Sequence, residues 1–432
     1  MKKIILLILC ALAACQASPD AATMTVPAPT DETATAVPLP TSTLAPTVLP
    51  DASPTVDSAE PTATMSEPTA EPTAAPTEPP PPTATLAPDP PTPSEVIIEL
   101  DGAQLPPGFS LIEYAALPRP TGLTFDDQGR LWATNHAGEV WLFNDENGDG
   151  RADLQEQYAF GFIVPVGVAV HPDNGDVYIS QEGKITIARD TNGDLAADEF
   201  ESIVSDLPFD LHKNNNLKFG PDGMLYMGVG STCNACIEED PRSATVMRFD
   251  PLTGEGEILA TGLRNVFDIA FHPETGQVFA TDNGRDDLGQ FDPPEELNLL
   301  VEGADYGWPD CYGFNQGSNC DGTEGPTETF EAHASVNGVT FYTGDRFPRL
   351  YRGDLFTSNF GSWQYPLQTG IQRVELTPDG DGGYSAEKSW FLRTDELLLP
   401  LVEGPDGALY FGTYNLSDPS LGGIYRISYG VP

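Results

Sequence analysis

Two stretches, "GLTFDDQGRLWATN" at residues 122–135 and "GVAVHPDNGDVYISQ" at residues 167–181, share one pattern. Each reads as a short apolar strand, a turn rich in Asp, Gly or Pro, and a second strand that ends in polar residues. The pattern returns at residues 216–229, 268–282 and 400–414, and in a stretched form at residues 338–361. Six strand-turn-strand units therefore follow one another along the chain.

The spacing of these units predicts an all-β fold, a six-bladed β-propeller preceded by a disordered Pro/Thr-rich linker. The units recur at intervals of roughly 45–70 residues, and no convincing amphipathic helix separates them. Closing such units into a ring protects the sheet edges and brings loops from every blade to a central channel. A β-sandwich is the alternative, and it explains the even repetition less well.

The N-terminal part of the chain divides into two segments before the propeller, which is expected over residues 96–432. Residues 1–15, "MKKIILLILCALAAC", read as a signal peptide, and the final Leu-Ala-Ala-Cys resembles a bacterial lipobox, which predicts lipidation of Cys15. A plain secretory signal cleaved nearby is the alternative. Residues 16–95 contain no aromatic residue, glycine, lysine or arginine, so we expect a disordered tether.

This organisation predicts an exported protein of a bacterial cell envelope. The lipid on Cys15 would be its one membrane contact, with the propeller outside the cytoplasm. The chain carries 65 Asp and Glu residues against 20 Lys and Arg, a net charge of −45. Such a charge repels polyanions, so nucleic acid is excluded as a partner.

Four cysteines lie within the predicted propeller. Cysteines of an exported chain are expected to pair. The simplest arrangement is two disulfides, Cys233 with Cys236 and Cys311 with Cys320. Four cysteines also allow other pairings, and a zinc site built from all four is a further alternative.

Two loops carry the residue spacing of calcium-binding loops. In residues 145–156 the EF-hand pattern is met throughout, and the expected ligands are Asp145, Asn147, Asp149, the Arg151 carbonyl, Asp153 and Glu156. In residues 190–201 the expected ligands are Asp190, Asn192, Asp194, Asp198 and Glu201. The second loop has Leu195 where the first has the turn glycine, Gly150. A solvated acidic turn is the alternative for each, and neither loop holds an evident base or nucleophile, so either ion would be structural.

Residues 262–313, "GLRNVFDIAFHPETGQVFATDNGRDDLGQFDPPEELNLLVEGADYGWPDCYG", closely resemble the soluble PQQ-dependent sugar dehydrogenases, particularly the sorbosone/glucose dehydrogenase-like group. The stretches "STCNACIEEDPRSATVMRFDP" and "FYTGDRFPRLYRGDLF" extend the likeness to residues 105–430. The resemblance implies a propeller that holds pyrroloquinoline quinone (PQQ) and Ca²⁺. It also implies a small sugar or polyol as substrate and an electron acceptor of unknown identity.

The resemblance further implies roles for particular residues. The histidine of "LHKNNNLKFGPDG", His212, matches a general base that takes the hydroxyl proton of the substrate while hydride passes to the quinone. Arg264 and Asn265 match cofactor contacts. The segment that bridges cofactor and calcium matches Asn283, Gly284 and Arg285, and a second calcium site is expected around Glu295 and Glu296. The alternatives are a loop histidine that binds main-chain groups and a solvated rim of carboxylates.

The sequence departs from this family in the last two blades. Tyr365, Gln368, Leu399 and Pro400 stand where basic residues are common in the family. PQQ carries three carboxylates, so fewer cations are available to pair with it. Two other functions therefore remain as alternatives: a non-catalytic surface propeller that binds carbohydrate or protein, and a calcium-dependent hydrolase of the lactonase type.

Overall fold

Each predicted strand-turn-strand unit forms the two innermost strands of one blade of a six-bladed β-propeller. The computed structural model describes residues 96–362 and 368–430. The predicted signal peptide, Cys15, the tether and Tyr365 lie outside the described residues. The predicted all-β, six-bladed fold is confirmed.

The first three blades are four-stranded antiparallel sheets whose strands follow the chain from the centre outward. An earlier strand, β1 (Phe109–Ala115), belongs to the last blade. Blade 1 contains β2 (Pro120–Phe125), β3 (Leu131–Asn135), β4 (Glu139–Asn144) and β5 (Leu154–Phe160). Blade 2 contains β6 (Gly167–Val170), β7 (Val177–Gln181), β8 (Lys184–Arg189) and β9 (Glu199–Val204). Blade 3 contains β10 (Asn214–Phe219), β11 (Leu225–Val229), β12 (Thr245–Phe249) and β13 (Gly256–Thr261).

The last three blades have the same order, with one inserted hairpin. Blade 4 begins with β14 (Val266–Phe271), β15 (Val278–Asp282) and β16 (Glu295–Leu300). The hairpin of β17 (Cys311–Tyr312) and β18 (Gln316–Gly317) precedes its outer strand, β19 (Glu328–Phe330). Blade 5 contains β20 (Val336–Phe341), a 3₁₀ turn (Arg349–Tyr351), β21 (Leu355–Asn359), β22 (Gly370–Pro378) and β23 (Tyr384–Arg393). Blade 6 contains β24 (Leu397–Glu403), β25 (Leu409–Tyr414), β26 (Gly422–Tyr429) and, outermost, β1.

The ring is closed by strands from opposite ends of the domain. Strand β1 pairs antiparallel with β26, so the first long strand completes the last blade. The inner strands of successive blades also contact one another around the ring, in the order β2, β6, β10, β14, β20, β24 and again β2. Because all six inner strands run in the same sense, the loops that precede them meet on one face.

Apolar side chains fill the spaces between neighbouring blades. Tyr178 and Ile187 of blade 2, for example, form one buried cluster with Leu217, Met227 and Phe249 of blade 3. The core is therefore divided into layers between sheets, and each blade depends on its neighbours for burial of its apolar faces.

The glycine that opens several repeats is required by the packing of the inner strands. A Cβ atom on Gly167 would lie 2.5 Å from the main-chain nitrogen of Leu217 in the next blade. A Cβ atom on Gly338 would lie 2.5 Å from the main-chain nitrogen of Leu401. These strands approach so closely that a side chain at either position would force the blades apart.

Both predicted disulfides, Cys233–Cys236 and Cys311–Cys320, are present. The pairing is confirmed and leaves no thiolates for a four-cysteine zinc site. The first bridge closes a short turn after β11, and the second spans the β17–β18 hairpin. Across residues 96–362 and 368–430, no helix is long and apolar enough to cross a membrane.

Candidate functional site

Six residues singled out by the resemblance line one cavity of about 260 Å³. It opens on the face where inner strands β10, β14 and β20 begin. The residues are His212, Arg264, Asn265, Asn283, Gly284 and Glu295. They come from blades 3 and 4, and the ring geometry brings together loops that are far apart in the chain.

His212 lies two residues before the start of β10 and is partly buried. Its Nδ1 lies 2.9 Å from the Ser231 hydroxyl, and its main-chain nitrogen donates to the Ser231 carbonyl at 3.2 Å. Burial, followed by the nearby charge of Arg264, lowers the pKa of His212 to about 3. The imidazole is therefore uncharged at neutral pH.

The three asparagines that follow His212 bind blade 3 to both of its neighbours. Asn214 accepts a hydrogen bond from the Gly183 main-chain nitrogen of blade 2 at 2.6 Å. Asn215 donates to Asn265 at 2.9 Å, and Asn216 donates to Asp268 at 2.8 Å. These side chains are buried, so the asparagine run fixes the approach to β10 through contacts between blades.

Arg264 lies at the start of blade 4, with 3% of the residue exposed. Its Nε donates to the Asn234 carbonyl at 3.0 Å, and its Nη1 donates to the Asn283 carbonyl at 3.1 Å. Its Nη2 donates to the Asn234 side chain and to Asp286, both at 2.8 Å. The guanidinium is thus held firmly in the cavity wall.

Two residues that line the same cavity, Glu295 and Asn283, carry side-chain oxygens of the kind that bind a hard cation. Glu295 is 4% exposed and accepts hydrogen bonds from the main-chain nitrogens of Gly284 at 2.5 Å and Ser335 at 3.3 Å. Burial raises the pKa of Glu295 to about 8. The side-chain oxygen of Asn283 is buried and has no hydrogen-bond partner among the described residues. Once it has lost its proton, as binding of a cation requires, Glu295 is a carboxylate, and a carboxylate and an amide oxygen are ligand types that calcium prefers.

The next residue of β16, Glu296, lies on the opposite side of the strand. It lines a second, small cavity of about 20 Å³ together with Asp282 and Tyr306. Burial, with a contribution from the charge of Asp282, raises the pKa of Glu296 to about 8, and burial raises that of Asp282 to about 6. The two glutamates, which the sequence places in a single calcium region, therefore face different cavities.

Cations are scarce around the main cavity. Among its described lining residues, Arg264 is the one lysine or arginine. Arg285 is directed elsewhere, since its guanidinium binds Asp287 at 2.7 Å and the Pro309 carbonyl at 2.8 Å. Lys213 forms an ion pair with Glu182 at 2.7 Å. The shortage of positive charge expected from the sequence therefore extends to this cavity.

The first calcium-type loop lies between β4 and β5 of blade 1, and its acids accept hydrogen bonds from its own backbone. Asp145 accepts from Gly148 at 2.7 Å and from Gly150 at 2.8 Å. Asp153 accepts from the side chain of Asn147 at 2.9 Å. The loop is thus folded around its carboxylates, and calcium binding at Asp145, Asn147, Asp149, Arg151, Asp153 and Glu156 stays a prediction.

The second loop, between β8 and β9 of blade 2, has the same hydrogen-bond pattern. Asp190 accepts from Gly193 at 2.7 Å and from Leu195 at 2.8 Å. Leu195 adopts φ 68°, the left-handed conformation that the sequence pattern reserves for glycine. Glu201 is paired with Arg189 at 2.9 Å. Calcium at Asp190, Asn192, Asp194, Asp198 and Glu201 also stays a prediction.

Among the residues of the site that were not identified from the sequence, two contact the predicted base and the predicted arginine. Ser231 contacts His212, and Asn234 contacts Arg264. Both belong to "STCNAC", residues 231–236, which follows β11 on the face that holds His212. The position of this stretch at a strand end beside the site is the signal that could have revealed them.

The fold defines a class: a six-bladed propeller of the type found in soluble sugar dehydrogenases, as the resemblance implied. A family model described as a domain of unknown function (DUF7133) matches residues 98–414. The chain belongs to that family.

Several individual proteins are similar to this chain. An uncharacterised protein of Borreliella burgdorferi is 23% identical over 361 residues, 76% of this chain and 90% of that protein. Quinoprotein glucose dehydrogenase B of Acinetobacter calcoaceticus is 24% identical over 257 residues, 47% of this chain and 52% of that protein. The second alignment therefore spans about half of each protein.

Solved structures share the propeller. The holo form of the pyranose dehydrogenase PQQ domain from Coprinopsis cinerea has a TM-score of 0.65 at 18% identity, covering 77% of this chain and 99% of that one. The apo form of the soluble aldose sugar dehydrogenase from Escherichia coli has a TM-score of 0.57 at 18% identity, covering 74% and 99%. At these identities the likeness establishes the shared fold.

Proposed function

We propose that this protein oxidises a sugar, or a related alcohol or aldehyde, with PQQ and calcium, and that His212 is the general base. The observation that carries the proposal is the single cavity lined by His212, Arg264, Asn283 and Glu295. The propeller fold it shares with proteins named as sugar dehydrogenases supports the same function.

The residues of the cavity fit the cofactors. The buried Arg264 places a positive charge at the cavity, suited to one PQQ carboxylate, which would share or displace its present partners Asn234 and Asp286. Glu295 and the unpartnered oxygen of Asn283 offer hard ligands for a calcium ion. When bound, PQQ supplies a quinone that accepts hydride from the substrate.

His212 is suited to accept a proton in this environment. It is uncharged at neutral pH, because burial and Arg264 lower its pKa to about 3. An uncharged imidazole within reach of a substrate hydroxyl can accept its proton. Cofactor carboxylates bound next to Arg264 would offset its positive charge, and this would raise the basicity of His212 toward the range useful for catalysis.

The test is a titration of the calcium-loaded protein with PQQ, followed by absorbance, and then dye reduction with a panel of aldoses and polyols. We expect saturable PQQ binding and dye reduction that requires PQQ. In the His212→Asn variant, PQQ binding should persist while dye reduction falls by about 100-fold or more. Equal dye reduction with and without PQQ would contradict the proposal.

A second function, a propeller that binds carbohydrate without catalysis, is favoured by one observation. The donors of Arg264 already bind Asn234, Asn283 and Asp286, so a cofactor carboxylate has to compete for them. Absence of PQQ binding at micromolar concentrations, combined with glycan binding that survives Arg264→Ala, would support this alternative.

The location of the protein is proposed from its first 15 residues. We propose export, with a lipid on Cys15 that anchors the propeller outside the cytoplasm. Mass spectrometry of the mature N-terminus tests the modification. Loss of membrane association in Cys15→Ser is the expected result, and an unmodified cysteine in the mature protein would contradict it.

A further inference from the structure

The hydrogen bonds around His212 determine which ring nitrogen carries its proton. The Ser231 hydroxyl lies 2.9 Å from His212 Nδ1 and donates to the main-chain carbonyl of Cys233 at 2.7 Å. Ser231 is fully buried. Its hydroxyl is thus enclosed between an imidazole nitrogen and a carbonyl oxygen.

Only one arrangement of hydrogens satisfies both contacts. A carbonyl oxygen can only accept, so the single hydroxyl hydrogen of Ser231 is directed to Cys233. The hydroxyl oxygen must then accept from His212, which requires a hydrogen on Nδ1. Nε2 carries the lone pair, and the described residues provide it with no hydrogen-bond partner, while His212 lines the cavity.

The acceptor carbonyl is held rigidly. Cys233 is bonded to Cys236 through their disulfide. Thr232, which lies between Ser231 and Cys233, binds Glu238 through both its main-chain nitrogen, at 2.7 Å, and its hydroxyl, at 2.6 Å. The main-chain nitrogen of Ser231 donates to the Arg264 carbonyl at 2.8 Å. These contacts prevent the Cys233 carbonyl from turning away and releasing the Ser231 hydroxyl.

We propose that Ser231 is a positioning residue for His212: it holds the imidazole as the Nδ1–H tautomer and leaves Nε2 toward the cavity as the proton-accepting atom. The tautomer follows from the hydrogen bonds alone. The role of Nε2 in catalysis rests on the proposed function.

A hydroxyl partner has a different effect from a carboxylate partner. It orients the ring but contributes no negative charge that would stabilise an imidazolium. The nearby charged groups, Arg264 and Lys213, are positive and oppose protonation. Ser231 therefore fixes the direction of the base while His212 stays uncharged before the substrate binds.

The direct experiment uses the full-length protein with ¹⁵N-labelled histidine and long-range proton–nitrogen correlation spectra at neutral pH. A protonated and an unprotonated ring nitrogen have well-separated frequencies, so the tautomer is read without any enzymatic assay. The His212 signals are assigned by their loss in His212→Asn. We expect a protonated Nδ1 and an unprotonated Nε2, and a protonated Nε2 would overturn the proposal.

Variants test the cause of the tautomer. Ser231→Ala removes the acceptor and should shift His212 toward the Nε2–H form, which free imidazole side chains favour, whereas Ser231→Thr keeps the hydroxyl and should keep Nδ1–H. The matched control is Ser243→Ala, which removes a buried hydroxyl that has no hydrogen-bond partner among the described residues. An unchanged His212 spectrum in Ser231→Ala would overturn the proposal.

Kinetics separate this inference from the proposed function. With PQQ and calcium present, Ser231→Ala should lower kcat by about 10- to 100-fold with little change in KM or PQQ affinity. If the wild-type protein shows no PQQ-dependent activity, the proposed function fails while the tautomer result still supports Ser231 as the partner of His212. An active Ser231→Ala variant with an unchanged kcat would overturn its positioning role.

Discussion

Arg264 donates two hydrogen bonds to Asn234, from Nε to the carbonyl at 3.0 Å and from Nη2 to the side-chain oxygen at 2.8 Å. Asn234 lies inside the Cys233–Cys236 disulfide turn, which also supplies the carbonyl that binds Ser231. One short, cross-linked turn of blade 3 therefore contacts the candidate cofactor-binding arginine directly and the candidate base through Ser231. The relative position of these two groups depends on this turn.

The first prediction concerns the geometry of Arg264. Replacement of Arg264 by Lys keeps the charge but removes the planar fork, so we expect PQQ affinity to fall by about 10-fold or more. Isothermal titration calorimetry with PQQ measures this affinity. Arg242→Lys is the control, because Arg242 is paired with Asp240 and does not line the cavity. Equal losses in both variants would show that Arg264 has no special role.

The second prediction is that a variant binds PQQ more tightly than the wild type. Asp286 forms a partly exposed ion pair with Arg264 at 2.8 Å and competes with an anionic ligand for its charge. Asp286→Asn keeps the shape and removes that charge, so PQQ affinity should rise by a few-fold, in keeping with a surface ion pair of about 1 kcal/mol. Weaker binding in this variant would contradict the competition.

The third prediction concerns acid stability. His212 has a folded-state pKa of about 3 against an ordinary value of 6.5, so the unfolded chain binds a proton that the folded chain does not. Its contribution to stability is present above pH 6.5 and is lost as the pH falls toward 3. Urea unfolding measures the free energy of unfolding at each pH. This free energy should decrease with acidification more steeply in the wild type than in His212→Asn, and the two slopes should differ by about 1 kcal/mol per pH unit. Parallel curves would contradict it.

The fourth prediction concerns calcium at the small cavity. If Glu296 and Asp282 bind calcium, a free calcium concentration of about 100 times the Kd should raise the free energy of unfolding by about 2.7 kcal/mol. Glu296→Gln should lose most of the calcium-induced rise in Tm, while Glu255→Gln, at an exposed turn, should keep it. An unchanged response in Glu296→Gln would indicate that calcium binds elsewhere, for example in the loop at residues 145–156.

The fifth prediction concerns a buried carboxylate that joins three blades. Asp268 of blade 4 accepts hydrogen bonds from Asn216 of blade 3 at 2.8 Å and from the main-chain nitrogen of Val339 in blade 5 at 3.1 Å. Lys218 lies 3.7 Å from it. Asp268→Ala leaves these partners buried and unpaired, so the free energy of unfolding should fall by about 3–5 kcal/mol.

Chemical denaturation measures this effect, and the exposed turn residue Asp173 supplies the control. Asp173→Ala should change the free energy of unfolding by about 0.5 kcal/mol at most. A similarly small change in Asp268→Ala would show that the inner strands hold together without this carboxylate.

Local sequence was sufficient to predict the blades, because each inner pair of strands is encoded by adjacent residues. Alternating apolar positions, a turn rich in Asp and Gly and a glycine at the strand contact lie within about 15 residues of one another. The disulfide of Cys233 with Cys236 was predictable for the same reason, since the second cysteine follows the first at a sequence separation of 3. Resemblance located His212 and Arg264 in the chain.

By itself, therefore, the sequence determined the propeller, the disulfides and the candidates for the site, since these depend on neighbouring residues and recognisable motifs. Tertiary structure alone decided that Glu295 and Glu296 face different cavities and that the Arg285 guanidinium binds Asp287 and the Pro309 carbonyl. It also paired Ser231 with His212 and Asn234 with Arg264. These contacts join residues up to 30 positions apart, and closure of the ring sets the distances between them.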